Sequence, residues 1–144
     1  MQLKLKPAEV EGLLRGAFPS AKGDWVKIEE LQSGLARIRL LFRPSMLRPG
    51  NTVSGPALFT AADTAMYACV MAHVGPEVMA VTSQLNMHFL SRGKPGDVIA
   101  EARLLRLGKR SAVMEVSLRT GDDEALVAHV TGSYAIPAKF PEPR

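Results

Sequence analysis

Asp63 is the one charged side chain in an otherwise apolar run, Ala57 to Val74 (ALFTAADTAMYACVMAHV). A carboxylate on the buried side of such a helix costs several kcal/mol unless it is paired or hydrogen-bonded. It therefore either bonds within the core, for instance to Thr82 or Ser83 on a neighbouring strand, or performs chemistry. About two turns upstream, Gly55-Pro56 starts the same helix. Backbone N–H groups in a first turn lack helical partners and can bind an anion or an oxyanion, although proline there is also the mark of a plain helix start. A carboxylate that activates water, together with a donor at a helix start, is a minimal hydrolytic apparatus. The other reactive residue types are dispersed. His73, His88, His129 and the single Cys69 never approach zinc-ligand spacing, so no metal is expected. Cys69 reads as a buried packing thiol, His88 and His129 as solvent-side strand residues, and His73 as lying near a helix end where a cation is favoured.

These residues need elements to hold them. Pro7 to Phe18 reads as a short amphipathic helix, opened by Pro7, with Val10, Leu13, Leu14 and Ala17 at helical spacing. Trp25–Leu31 and Leu35–Phe42 alternate apolar and polar residues around Ser33-Gly34 and predict a β-hairpin. Arg43–Asn51 (RPSMLRPGN), with two prolines and a glycine, predicts a loop and not a strand. After the long helix, about residues 56–74, Gly75-Pro76 breaks the chain. Met79–Leu90, Val98–Leu107, Ser111–Thr120 and Ala125–Ile136 then read as strands separated by turn-rich segments, and residues 137–144 as a proline-rich tail. One long helix that is apolar nearly all round must be buried by everything else. A curved antiparallel sheet wrapped around it, in an α+β fold with a short N-terminal helix, meets that requirement within a single domain over residues 1–144.

With 47% hydrophobic and 22% charged residues the composition is that of a soluble globular protein. The net charge of +4 is dispersed and aromatics make up only 6%. No nucleic-acid platform is evident, and the basic balance suits an anionic small ligand. The apolar run approaches the length of a membrane span, but Asp63, Thr60, Thr64, Tyr67 and its many alanines argue against one. The N-terminal MQLKLKPAEVEGLL has no apolar core of signal-peptide type, and a lone cysteine suits a reducing compartment, so a cytoplasmic location is expected.

Three stretches follow one another in order: Val53-Ser54-Gly55-Pro56 with Leu58–Ala65 (LFTAADTA), then Val81–Leu90 (VTSQLNMHFL), then Gly96-Asp97 with Leu107-Gly108-Lys109-Arg110. They resemble the V-H-G-G and L-x-x-L-A-D-x-A, the V-T-x-x-L-N-I-x-F-L, and the G-D and x-G-R/K-R patterns of the hotdog-fold thioesterases, specifically the phenylacetate-degradation (PaaI-like) acyl-CoA thioesterase family. The resemblance covers roughly residues 35 to 136. It implies a hotdog fold, a homodimer or homotetramer with sheets joined edge to edge, and active sites between subunits that hydrolyse acyl-CoA. It further implies Asp63 as general base or nucleophile and the Gly55 N–H of the other subunit as oxyanion donor. By the same resemblance Thr82, with Ser83 beside it, would help position the water or the carboxylate, and Lys109 and Arg110 would meet the CoA phosphates. CoA would enter only as part of the substrate, with no separate cofactor.

The pattern also departs from that family. Ser54 stands where the family often has His, and Pro56, which has no N–H, stands for the second Gly. The H-x-N pair upstream has no clear equivalent, since Arg48 and Asn51 lie in a different context (MLRPGNTVSG). Either Asn51 or Ser54 substitutes for the lost groups, or turnover is weak, or the chemistry differs. The expected activity is thus acyl-CoA hydrolysis. A non-catalytic acyl-CoA or fatty-acyl binding protein is the alternative, and a hydratase of the same fold, lacking an Asp-His pair here, ranks behind both.

Overall fold

The computed structural model describes residues 2–18, 23–77 and 79–138; residues 139–144 of the expected tail lie outside them. Helix α1 (Pro7–Ala17) begins at Pro7, and the Glu9 carboxylate accepts from the Lys6 N–H at 3.1 Å. Val10 and Leu14, one turn apart, are its buried face. Strands β1 (Val26–Gln32) and β2 (Leu35–Leu40) form the expected hairpin, with Gln32 opposite Leu35. Gly34 takes φ 78° in the tight connection, a conformation that only glycine adopts without steric cost.

The segment expected as a loop is more ordered than that. A 3-10 turn (Pro44–Met46) leads into β3 (Leu47–Arg48), which pairs with β4 (Thr52–Val53). The glycine and second proline sit in the turn between them, where Gly50 and Asn51 have φ 95° and 59°. A two-residue strand is too short for alternation to reveal. This ribbon anchors the start of the next helix: the Ser54 N–H donates to Met46 O at 2.8 Å, and the Val53 N–H to Gly93 O at 2.9 Å.

Helix α2 (Gly55–Val74) runs 20 residues and ends at Gly75, whose φ of 101° stops it while its N–H bonds Met71 O. By length and composition α2 is apolar enough to cross a membrane, yet 78% of that window is buried inside the protein. What buries it is a six-stranded antiparallel sheet in the order β1-β2-β6-β7-β8-β5, where β5 is Val81–Phe89, β6 Val98–Leu107, β7 Ser111–Thr120 and β8 Ala128–Ala135. Ala61, Ala65, Ala68 and Ala72 of α2 pack in one core with Ile38, Ala100, Met114, Val116 and Val130 of the sheet. Small helix residues allow the close approach that a sheet curling around a helix needs. This is the hotdog arrangement.

Strand β5 lies at a sheet edge and carries a bulge. Its register with β8 shifts between Thr82 and Gln84, so Ser83 is the extra residue. Its hydroxyl lies 2.8 Å from that of Ser133. The bulge lets Thr82 and Leu85, three apart, both lie half-buried on one face, which strict alternation forbids.

Candidate active site

Asp63 sits half-buried on α2 at the position where the sheet's β5–β8 pair crosses the helix. Thr82 and Tyr134 are cross-strand partners on that pair. Both reach the same carboxylate oxygen: the Thr82 hydroxyl donates to Oδ1 at 2.5 Å and the Tyr134 hydroxyl at 2.8 Å. Tyr134 also lies within 3.1 Å of the Asp63 carbonyl oxygen. Hydrogen bonds to a charged acceptor contribute about 1.5–3 kcal/mol each, enough together to offset the desolvation of a half-buried carboxylate. Oδ2 receives no hydrogen bond among the described residues. The carboxylate is thus held by one oxygen and available by the other.

Apart from its hydroxyl partners, the surroundings of Asp63 are mostly apolar. A cavity of about 360 Å³ is lined by Phe18, Asp63, Tyr67, Val81, Thr82 and Tyr134, among others. Its aromatic wall continues from Tyr134, stacked on Tyr67 at 5.8 Å, to Phe18 set edge-on to Tyr67 at 6.1 Å. Burial pushes the Tyr134 phenol far above its ordinary range, and the adjacent Asp63 charge adds to the shift. The phenol therefore stays protonated and remains a donor. Tyr134 is the residue that sequence reasoning missed. Thr82 was visible as a hydroxyl on the next strand, whereas Tyr134 follows only from the register that sets it opposite Thr82.

At the start of α2, Ser54 is the N-cap and its Oγ accepts from the Ala57 N–H at 3.2 Å. Pro56 has no N–H, and the Leu58 N–H bonds Ser54 O at 3.1 Å. By elimination, Gly55 carries the one first-turn N–H with no partner among the described residues. It borders an apolar trough of about 590 Å³ with Phe59, Leu85 and Phe89. Ser54 is therefore engaged in capping. Asn51 is exposed, in the left-handed conformation at the β3–β4 turn, with its N–H on Arg48 O.

Gly55 and Asp63 are eight residues apart, about 12 Å along the helix. A donor must lie about 3 Å from the carbonyl oxygen, and an attacking atom about 3–3.5 Å from the carbon. The two groups of one chain therefore cannot act on one thioester. Their cavities share no lining residue.

The remaining candidates are elsewhere. Ser83 bonds Ser133 on the exposed side of the sheet. Lys109 and Arg110 line a cavity of about 520 Å³ with Lys4, His73 and Glu77, beyond the far end of α2. His73 is not the cation that its position favoured. It is buried, its Nε2 accepts from the Gly34 N–H at 2.8 Å, and its Nδ1 lies 2.7 Å from Cys69 O. An N–H donor on Nε2 requires that nitrogen to be unprotonated, so a neutral imidazole ties the β1–β2 turn to α2. Burial pushes the Cys69 thiol up to about 12, which keeps it inert.

Comparison with known proteins agrees with this architecture. A sequence model of the thioesterase superfamily matches residues 50–127, a span that takes in Gly55, Asp63 and Thr82 but stops short of Tyr134. A solved structure from Silicibacter sp. TM1040, provisionally named a thioesterase, is 36% identical with a TM-score of 0.85, over 96% of this chain and 96% of its own. A mutant of the phenylacetic acid degradation protein PaaI from Thermus thermophilus is 27% identical with a TM-score of 0.68, over 83% of this chain and 98% of its own. A protein of Saccharolobus solfataricus, provisionally named an esterase, is 28% identical over 111 residues, 77% of this chain and 73% of its own. A superfamily match over more than half of the residues, with a 36%-identical structure aligned along nearly the whole length, makes this chain a member of the thioesterase superfamily.

Proposed function

We propose that the protein hydrolyses acyl-CoA thioesters in sites shared between two copies of the chain. The observation that carries this reading is the asymmetric holding of Asp63. Two protonated donors converge on Oδ1, while Oδ2 has no donor among the described residues and faces a largely apolar cavity. As general base, Oδ2 takes a proton from water, the hydroxide oxygen bonds the thioester carbon, the C–S bond breaks, and the proton passes to the departing thiolate. As nucleophile, Oδ2 itself bonds that carbon and expels the thiolate, and water then cleaves the resulting anhydride. In both routes the carbonyl oxygen gains charge, and the Gly55 N–H of the second copy is the group suited to receive it.

The free edge of β5 supports a two-chain site. Val81, Phe89 and Leu90 are exposed on or beside it, with Phe59 nearby on α2. An unpaired apolar edge is a surface for joining a second copy. The proposal is therefore a homodimer or homotetramer, and the lone cysteine adds a cytoplasmic location to it.

The test is release of free CoA from short, medium, long and aryl acyl-CoAs. Asp63→Asn and Asp63→Ala are expected to keep the fold and to lower kcat by about 10³-fold or more. Parent-level turnover by either variant overturns the assignment. A second reading has its own observation: Ser54 is committed to capping and Asn51 to a turn, so neither is an obvious aid for orienting the thioester. Tight acyl-CoA binding without turnover across that panel would favour a non-catalytic binding protein.

A further inference from the structure

A cavity of about 440 Å³ shares Gly55 and Phe89 with the apolar trough and is also lined by Arg48, Thr52 and Arg92, among others. Arg48 comes from β3 and Arg92 from the segment after β5, parts of the chain brought together by close packing. The Val53 N–H bonds Gly93 O at 2.9 Å. Gly93 is pressed so tightly that a Cβ there would lie 3.0 Å from Thr120 Cγ2 and 3.4 Å from Val53 Cβ. The segment carrying Arg92 is thus fixed against β4 by a glycine that no larger residue replaces freely.

The charges in this cavity are uncompensated. Arg15, Arg37, Arg39 and Arg103 each pair with a carboxylate. Neither Arg48 nor Arg92 has an acidic partner among the described residues, and no Asp or Glu lines the cavity. We propose that Arg48 and Arg92 form a subsite for a phosphate on the thiol carrier of the thioester substrate. This rests on the thioesterase reading of Asp63 and Gly55. Guanidinium groups match phosphate oxygens in a bidentate fork, which makes arginine well suited to such a group. The position also fits. Gly55 itself lines the cavity, three residues (at most about 11 Å of chain) after Thr52, so the subsite adjoins the N–H that would hold the thioester oxygen.

The cavity of Lys109 and Arg110 is the competing location, and with Lys4 it is as basic, but its cations are not free of an acid. It includes Glu77 and lies at the C-terminal end of α2, the end that carries partial negative charge. It is also about 28 Å along the helix from Gly55 of the same chain.

The experiment is calorimetric titration of the full-length protein with CoA, 4′-phosphopantetheine and pantetheine. The parent is expected to bind CoA more tightly than pantetheine. Arg48→Ala/Arg92→Ala is expected to weaken CoA binding about tenfold or more and to leave pantetheine binding unchanged. Lys109→Ala/Arg110→Ala is expected to change neither. If 4′-phosphopantetheine matches CoA, the phosphate bound is the one that carrier proteins also bear; if it matches pantetheine, the phosphates belong to the nucleotide. The subsite is overturned if the arginine variant binds CoA as the parent does, if the loss falls on the Lys109/Arg110 variant instead, or if the parent does not distinguish CoA from pantetheine. Hydrolysis of an acyl-pantetheine, which bears no phosphate, reports separately on Asp63 chemistry. Failure of the parent to hydrolyse either acyl-pantetheine or the acyl-CoA panel would sink the thioesterase reading, while the titration still decides the subsite.

Discussion

Two donors on one oxygen make the Asp63 carboxylate chemically lopsided, and Tyr134 supplies half of that effect. Its ring is stacked on Tyr67 and buried, so replacing the hydroxyl alone should leave the packing in place. Tyr134→Phe is expected to lower kcat on acyl-CoA by roughly 10- to 100-fold, the worth of one hydrogen bond to a charged group. KM should change little, while loss of a buried hydrogen bond to a charged group should lower the melting temperature by several degrees. Steady-state kinetics on a responsive acyl-CoA measures this, and a Phe variant with parent kcat would show that Thr82 holds the carboxylate alone. At this scale the sequence was readable where chemistry is written in residue type. A lone acid in an apolar helix stands out from its neighbours, and Asp63 with a hydroxyl partner on the next strand followed directly. Tyr134 did not, because an aromatic in an alternating strand looks like any core residue until register sets it opposite Thr82.

Among elements, the start of α2 and the bulge in β5 matter most. The Gly55 N–H has no partner among the described residues, because a first-turn N–H has no helical carbonyl to meet and the Ser54 hydroxyl caps Ala57 instead, so removing a single proton tests it. Gly55→Pro deletes the N–H, at the cost of some strain from placing a Cβ in helical conformation before Pro56. Proline is tolerated at the first helical position, Ser54 already has φ −72° and ψ 155°, which suit a residue before proline, and a Cβ at Gly55 would only touch the Phe89 ring at 3.4 Å. The variant is expected to fold as the parent by circular dichroism, to melt somewhat lower, and to lose about 10²–10³-fold in kcat. Unchanged turnover would mean that another donor serves the oxyanion. The strands and both helices were legible because their periods run for six residues or more. The β3–β4 ribbon and the Ser83 bulge were not, since each is a matter of pairing over one or two residues and leaves no periodic trace. The bulge nevertheless decides the site, for it turns Thr82 toward Asp63 while keeping Leu85 and Met87 on the inner face.

At the scale of the molecule, the helix-in-sheet architecture was legible from one argument: a helix apolar on every side has to be enclosed. Which strands lie at the edges of the sheet was not, because an edge strand differs from an inner strand only in what lies beside it. The roughly 12 Å between Gly55 and Asp63 then has a genetic consequence. If each site draws its acid from one chain and its oxyanion donor from another, two dead proteins can repair each other. Subunits bearing Asp63→Ala, unfolded and refolded with an equal amount bearing Gly55→Pro, should form mixed dimers in about half of all pairings. One of the two sites in each mixed dimer regains both wild-type groups, so about a quarter of parental activity should return from two inactive parents. No recovery, with mixed dimers verified by differential tagging, would mean that Asp63 and Gly55 do not serve one site across the dimer or that a third copy is needed. Intragenic complementation of this kind also means that a damaged allele of either class is partly masked when both classes are expressed together.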